Sequence, residues 1–232
     1  MRLYFFVFLA AILSVVATHA QTSPSSGESP AANQASLGHN LILNGDAEQA
    51  TDTMWAPFWQ PPGTLEEASY GQKPGEWRKG VQGAPHGGCC YFRLEWQDKQ
   101  TSKAAFQTID LSALGGEIDQ GEVWGYLSGY LGGLLDGGTT VHLEVSWQDA
   151  SGKELDKLSV SAVMPMDLRR PFAGAASVVQ RQQSGPVPRG TRKAMVRFSG
   201  EPMKDSQFGY VALADNLSLS LSVIQKSSMT GE

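Results

Sequence analysis

The sequence predicts an all-β fold, an antiparallel β-sandwich of the jelly-roll type, and three observations predict it. Glycine is abundant at 26 residues. Helical periodicity is hard to find beyond the first twenty residues, and short stretches of period-two alternation recur between Gly, Pro, Asn and Asp turns. Regularly spaced short strands suit a sandwich better than parallel βαβ units, which need amphipathic crossover helices.

The elements follow in chain order. Arg2, an apolar run from Leu3 to Val16 and then Thr18-His19-Ala20 have the form of a signal peptide over residues 1–20. The run is short for a bilayer span, and no second apolar run is long enough to be transmembrane. The mature chain is therefore expected to be secreted or periplasmic, without membrane insertion. Residues 21–37 are mainly Ser, Pro, Ala, Gln and Gly, a composition that buries too little apolar surface to offset its ordering entropy, and they read as a disordered linker. Residues 38–224 form the one expected domain, and 225–232 a flexible polar tail.

Within the domain, strand character is expected at Leu41 to Asn44, Cys89 to Trp96 and Ala104 to Leu111, with a short helical turn near Leu111 to Leu114. From Val123 to Leu131 a Val/Gly/Leu face alternates with a Trp/Tyr/Ser face. Val141, Leu143, Val145 and Trp147 share one side of the next strand, and the two read as antiparallel neighbours joined across the glycines between 132 and 138. Asp149-Ala150-Ser151-Gly152-Lys153 is a turn leading into Leu155 to Val163, and further strands are expected at Ala175 to Gln182, Lys193 to Ser199 and Tyr210 to Val223. In that last strand strict alternation places Val211, Leu213, Leu217, Leu219, Leu221 and Val223 on one face, and Asp215 with them. A carboxylate on an apolar face is costly unless it is paired, hydrogen-bonded or bound to a metal.

The net charge is −5, and loss of Arg2 with the leader makes it −6, which argues against nucleic acid as a partner. Seven basic residues and no acidic ones lie between Arg169 and Arg197, a run expected to be solvated strand surface balanced by carboxylates elsewhere. The two cysteines, Cys89 and Cys90, are adjacent. They can close a vicinal ring, pair with another molecule or sit as small buried strand residues, and their spacing is neither a zinc nor a thioredoxin pattern. His39, His86 and His142 are scattered outside any metal-binding or nucleophile-elbow motif, so no catalytic residues are assigned.

Asn40-Leu41-Ile42-Leu43-Asn44-Gly45-Asp46-Ala47-Glu48 at the start and Ala214-Asp215-Asn216-Leu217-Ser218-Leu219 at the end resemble the opening and closing strands of the galactose-binding-like β-sandwich superfamily, which includes several carbohydrate-binding modules. Residues 126–133 and 187–192 are similar to segments of bacterial extracellular domains with this fold. The resemblance implies a structural calcium ion held by Asp46, Glu48 and Asp215, a chemistry consistent with an ion that takes six to eight oxygens. Two other readings of Asp215 remain open: an ion pair with an arginine such as Arg192, or a cap on backbone amides of the first turn.

Carbohydrate is the ligand class that the resemblance implies, and apolar sugar faces stack on aromatic side chains. The Pro/Gly-rich segment from Trp55 to Trp77 reads as a functional loop and offers Trp55, Trp59, Tyr70 and Trp77 as candidate contacts, although Trp59 also reads as a core plug. Trp124 and Trp147 are expected in the core. A secreted, non-catalytic carbohydrate-binding module follows, with a surface adhesion domain and a jelly-roll glycoside hydrolase or lyase as the alternatives.

Overall fold

The structure is a computed structural model, and it describes residues 35–49, 53–70, 84–98, 101–134, 138–168, 176–203 and 209–224. The expected leader, residues 21–34 of the linker, the tail and Trp77 lie outside the described residues.

Among the described residues the chain forms β1 (Glu66–Ser69), β2 (Cys90–Trp96), β3 (Lys103–Asp110), a 3-10 turn (Ser112–Leu114) running into α1 (Gly115–Gln120), β4 (Val123–Leu134), β5 (Thr139–Gln148), β6 (Glu154–Ser159), a second 3-10 turn (Pro165–Asp167), β7 (Ala176–Pro186), β8 (Lys193–Pro202) and β9 (Tyr210–Val223). They make two sheets, one in the order β1-β2-β9-β4-β7 and the other β3-β8-β5-β6. Every pairing is antiparallel. The sandwich expected from alternation is thus the fold that forms.

Alternation explains the layering. In β4 the small and apolar members Val123, Leu127 and Leu131 join the core, and in β5 so do Val141, Leu143, Val145 and Trp147. Each large side chain removed from water contributes about 1.5–3 kcal/mol. Two close approaches set the spacing of the sheets: a Cβ on Gly125 would lie 2.9 Å from Trp147 Cζ2, and one on Gly200 would lie 2.4 Å from the Trp96 ring.

Four local expectations need correction. β4 and β5 are not neighbours but lie in opposite sheets, β4 between β9 and β7 and β5 between β8 and β6. Leu41 to Asn44 is a series of bends and turns, although Gly38 N and Leu41 N donate to Leu221 O and Leu219 O, at 2.9 and 2.8 Å. β1 arises inside a segment read as loop, registered against β2 from Glu66↔Arg93 to Ser69↔Cys90. Trp124 is only half-buried and faces away from the core, opposite Ser222.

The fifth correction concerns β9. Its pairing with β4 slips between Tyr130↔Asp215 and Ser128↔Ser218, so β9 carries an extra residue there, and Asn216 takes a φ of +48°. Such a bulge inverts the faces on either side of itself. Ala212 and Ala214 point into the core before it, and Leu217, Leu219 and Leu221 after it. Val211 and Leu213 lie on the outer face in a second apolar cluster with Ala68 and Tyr91. Asp215 therefore shares the outer face with Val211 and Leu213, and not the core face with the three leucines.

Candidate binding sites

Asp215 is fully buried, and the bulge turns it towards the junction where the start of the domain meets β9. Its Oδ2 accepts from Tyr70 Oη at 2.7 Å and its Oδ1 from the Asn216 amide at 2.7 Å. Tyr70 follows β1 and packs against the outer cluster, tilted on Tyr91 with centroids 4.8 Å apart. Burial, reinforced by the charges of Glu48 and Asp46, raises the Asp215 carboxyl to about 6, against the pull of its two hydrogen bonds. Burial and the neighbouring carboxylate likewise push the Tyr70 hydroxyl up, so it stays a proton donor.

The Asn44-Gly45-Asp46-Ala47-Glu48 turn brings the other carboxylates. Gly45 is required there, since a Cβ would fall 2.1 Å from Leu217 O, and Leu217 N donates to Gly45 O at 2.7 Å. Asn44 and Ala47 both take positive φ, 50° and 56°. Glu48 Oε1 accepts from the amides of Cys89 and Cys90 at 2.8 and 3.0 Å. Asn44 Nδ2 bonds the carboxylate of Glu67, which burial also raises above the usual range.

Two glycines make room for these oxygens. A Cβ on Gly87 would sit 2.4 Å from Asp215 Oδ2 and 2.9 Å from Ala84 O, and one on Gly88 would sit 2.3 Å from Glu48 Oε1. The family resemblance implied Asp46, Glu48 and Asp215. The charges of Glu48 and Asp46 act on Asp215, but among the described residues the three carboxylates do not come within 4.8 Å of one another as a group. Tyr70 as a partner of Asp215 and the glycine pair beside the carboxylates were missed. The glycines were visible as Gly87-Gly88; nothing local in the sequence ties Tyr70 to Asp215, 145 positions on.

The ion-pair alternative for Asp215 does not involve Arg192, whose Nη2 binds Asp119 Oδ2 at 2.7 Å. Arg197 pairs with Glu144 at 3.2 Å and Arg181 with Asp167 at 3.4 Å, so three arginines of the basic run are balanced by carboxylates. Cys89 and Cys90 are joined as a vicinal disulfide, with Cys89 exposed and Cys90 buried. Among the described residues, the group of metal-type donors gathered within 4.8 Å is Glu48 with these two sulfurs, at the same junction.

A second feature lies on the same sheet, past the bulge. Because Val123, Leu127 and Leu131 point inwards, Trp124, Tyr126, Ser128 and Tyr130 point outwards. Across the ladder Tyr126 faces Ser220 and Ser184, Ser128 faces Ser218 and Gln182, and Tyr130 faces Gln180. Tyr126 is 46 % exposed. A shallow groove of about 350 Å³ runs beside it, lined by Ser128, Gln182 and Ser184.

The aromatic candidates from the sequence are dispersed. Trp59 is 2 % exposed and packs edge-on against Phe92, with centroids 5.6 Å apart, so its rings are taken up by the core. Tyr70 has its hydroxyl on Asp215. Trp55 is 39 % exposed beside Met54 and Phe58, and bridges to Glu66 through its backbone. The cavity of about 420 Å³ between residues 40–49 and the bulge is polar, but the carboxamides of Asn40 and Asn44 within it are already engaged by the chain itself.

No protein-family model and no curated protein matches the chain. Several solved structures are similar to parts of it. The enzymatically active domain of tailspike protein 4 of bacteriophage CBA120 is 14 % identical with a TM-score of 0.48, over 79 % of this chain and 21 % of that one. The chain thus spans about a fifth of the length of the tailspike chain it matches. The CBM22-1 xylan-binding domain of Paenibacillus barcinonensis Xyn10C is 13 % identical with a TM-score of 0.44, over 82 % and 98 % of the two chains. A cellulose-specific carbohydrate-binding module, CBM28, is 13 % identical with a TM-score of 0.40, over 78 % and 95 %.

Proposed function

We propose that this domain is a secreted or periplasmic carbohydrate-binding module without a catalytic role, and that a structural calcium ion ties its first turn to its last strand. The observation that carries the sugar reading is the outward row on β4, where an exposed tyrosine ring stands among hydroxyls and carboxamides. Such a surface offers an apolar plate for a pyranose face and planar donors and acceptors for its hydroxyls. The carboxylates Glu66 and Glu95, on neighbouring strands of that sheet, are both held by the Arg93 guanidinium, which suits a structural triad better than an acid/base pair.

For the ion, the chemistry of the donor set supports the reading: Asp215, Glu48 and Asp46 are hard-oxygen side chains, the charges of the latter two act on Asp215, and calcium takes such oxygens together with backbone carbonyls. Calcium there would act by neutralising charge and cross-linking the chain ends.

Affinity gel electrophoresis against a panel of soluble polysaccharides, in calcium and in chelator, tests the sugar reading. Retardation by at least one polysaccharide, lost in Tyr126→Ala, is expected. A folded protein that none of them retards would overturn it.

A further inference from the structure

We propose that the Cys89–Cys90 disulfide is a reducible lock on the carboxylate cluster: closed, it holds Glu48 in place for the cation, and opened by a dithiol it releases Glu48 and weakens cation binding. This rests on the calcium reading above.

The connections run through one dipeptide. Cys89 N and Cys90 N both donate to Glu48 Oε1. Cys89 O accepts from Tyr70 N at 2.8 Å, and Tyr70 Oη donates to Asp215. The disulfide-linked pair therefore touches both sides of the cluster, the turn carboxylate directly and the strand carboxylate through one tyrosine.

Two successive amides converging on one oxygen is not strand geometry, because in an extended chain neighbouring N–H groups point to opposite edges. It is the concave arrangement in which consecutive amides cradle an anion. Cys89 lies in a turn and Cys90 begins β2, so the preference of the chain beyond Cys90 is to extend. The covalent ring between neighbours opposes that extension. Once it opens, the Cys90 side chain stays with the core cluster and the exposed Cys89 is free to swing outwards, taking its amide off Glu48.

The chemistry is ordinary thiol–disulfide exchange. A thiolate of a dithiol reductant attacks the exposed Cys89 sulfur, and the Cys90 sulfur leaves and takes a proton. The second thiol of the reductant, deprotonated, then displaces Cys89, which takes the other proton, and the reductant closes as a cyclic disulfide. Two electrons and two protons pass to the protein pair, and an oxidant of the disulfide class reverses the step.

Calcium titration by calorimetry on the oxidised and the dithiol-reduced protein, and on a Cys89→Ser/Cys90→Ala variant, tests the lock. A fall in calcium affinity of about tenfold or more is expected on reduction and in the variant, the change that one lost hydrogen bond to a charged group produces. Equal affinity in the oxidised and reduced forms overturns the lock. No calcium binding by the oxidised protein overturns the calcium reading and redox control of it together. Melting of Glu48→Gln in chelator separates the two failures. A larger loss of Tm from that substitution in the oxidised than in the reduced protein shows the disulfide anchoring Glu48 irrespective of metal, and an equal loss shows no anchoring at all.

Discussion

Asp215 is the fully buried carboxylate of the junction, and the sign of its response to pH is fixed by its surroundings. Its carboxyl is raised from the ordinary 3.8 to about 6, so the fold favours the protonated form. In metal-free protein the stability associated with this group is greatest below about pH 4 and is lost as the pH rises through 6. The melting temperature in chelator should therefore fall between pH 4 and 7 more steeply than that of Asp215→Asn, and calcium at pH 7 should restore the difference; parallel pH profiles for the two proteins would refute this. The glycines beside it give a sharper steric prediction. Gly87→Ala forces a methyl between Asp215 Oδ2 and Ala84 O and should cost about 1–3 kcal/mol, along with most of any calcium-induced rise in Tm. Gly116→Ala, in α1 with nothing within 4 Å of the added Cβ, should be neutral or stabilising by up to about 1 kcal/mol, and chemical denaturation of both variants makes the comparison.

At the scale of the element, β9 shows what alternation conveys and what it conceals. The large apolar residues are odd-numbered on both sides of Asn216, which reads as one continuous face. The core instead takes Ala212 and Ala214 before the bulge, because the Trp96 ring already fills the space beside Ala212 and Gly200. Val211 and Leu213 are large for a different reason: Tyr91 and Tyr70 cover them on the outer side. The clue was the Asp215-Asn216 pair, since asparagine is among the few side chains that tolerate positive φ. Asn216→Gly should accordingly keep the Tm within a few degrees, whereas Asn216→Val should cost about 1–3 kcal/mol by equilibrium unfolding. β1 was hidden by its length of four residues within a Pro/Gly-rich stretch, and its strand state comes from pairing with β2 more than from its own sequence.

For the whole molecule, the sandwich and its inward-facing residues were legible because the period-two signal is local, while the assignment of strands to sheets was not, because it depends on partners more than forty positions away. The candidate cation junction was legible from the two end motifs, which recorded residue types at both ends of one long-range contact. The tyrosine row on β4 was visible as alternation, yet only the register shows it flanked by the serines of β9 and the glutamines of β7. If that row binds sugar, Tyr126→Ala should abolish retention on a polysaccharide while changing the Tm by only a few degrees, because nearly half of the side chain is already in solvent and it lies outside the core. The pairing of the domain's beginning with its end has a mechanical meaning as well. Gly38 bonds Leu221, Leu41 bonds Leu219 and Gly45 bonds Leu217, so the two segments of this seam run in opposite directions, with Gly38 and Leu221 side by side at one end of it. Tension applied across the two ends loads these bonds one after another, as in opening a zip, until it reaches Glu48 and Asp215. In single-molecule stretching the seam should part at low force whatever the calcium concentration, and the next rupture should move to higher force when calcium is added, so that the cation decides how far a tethered domain yields.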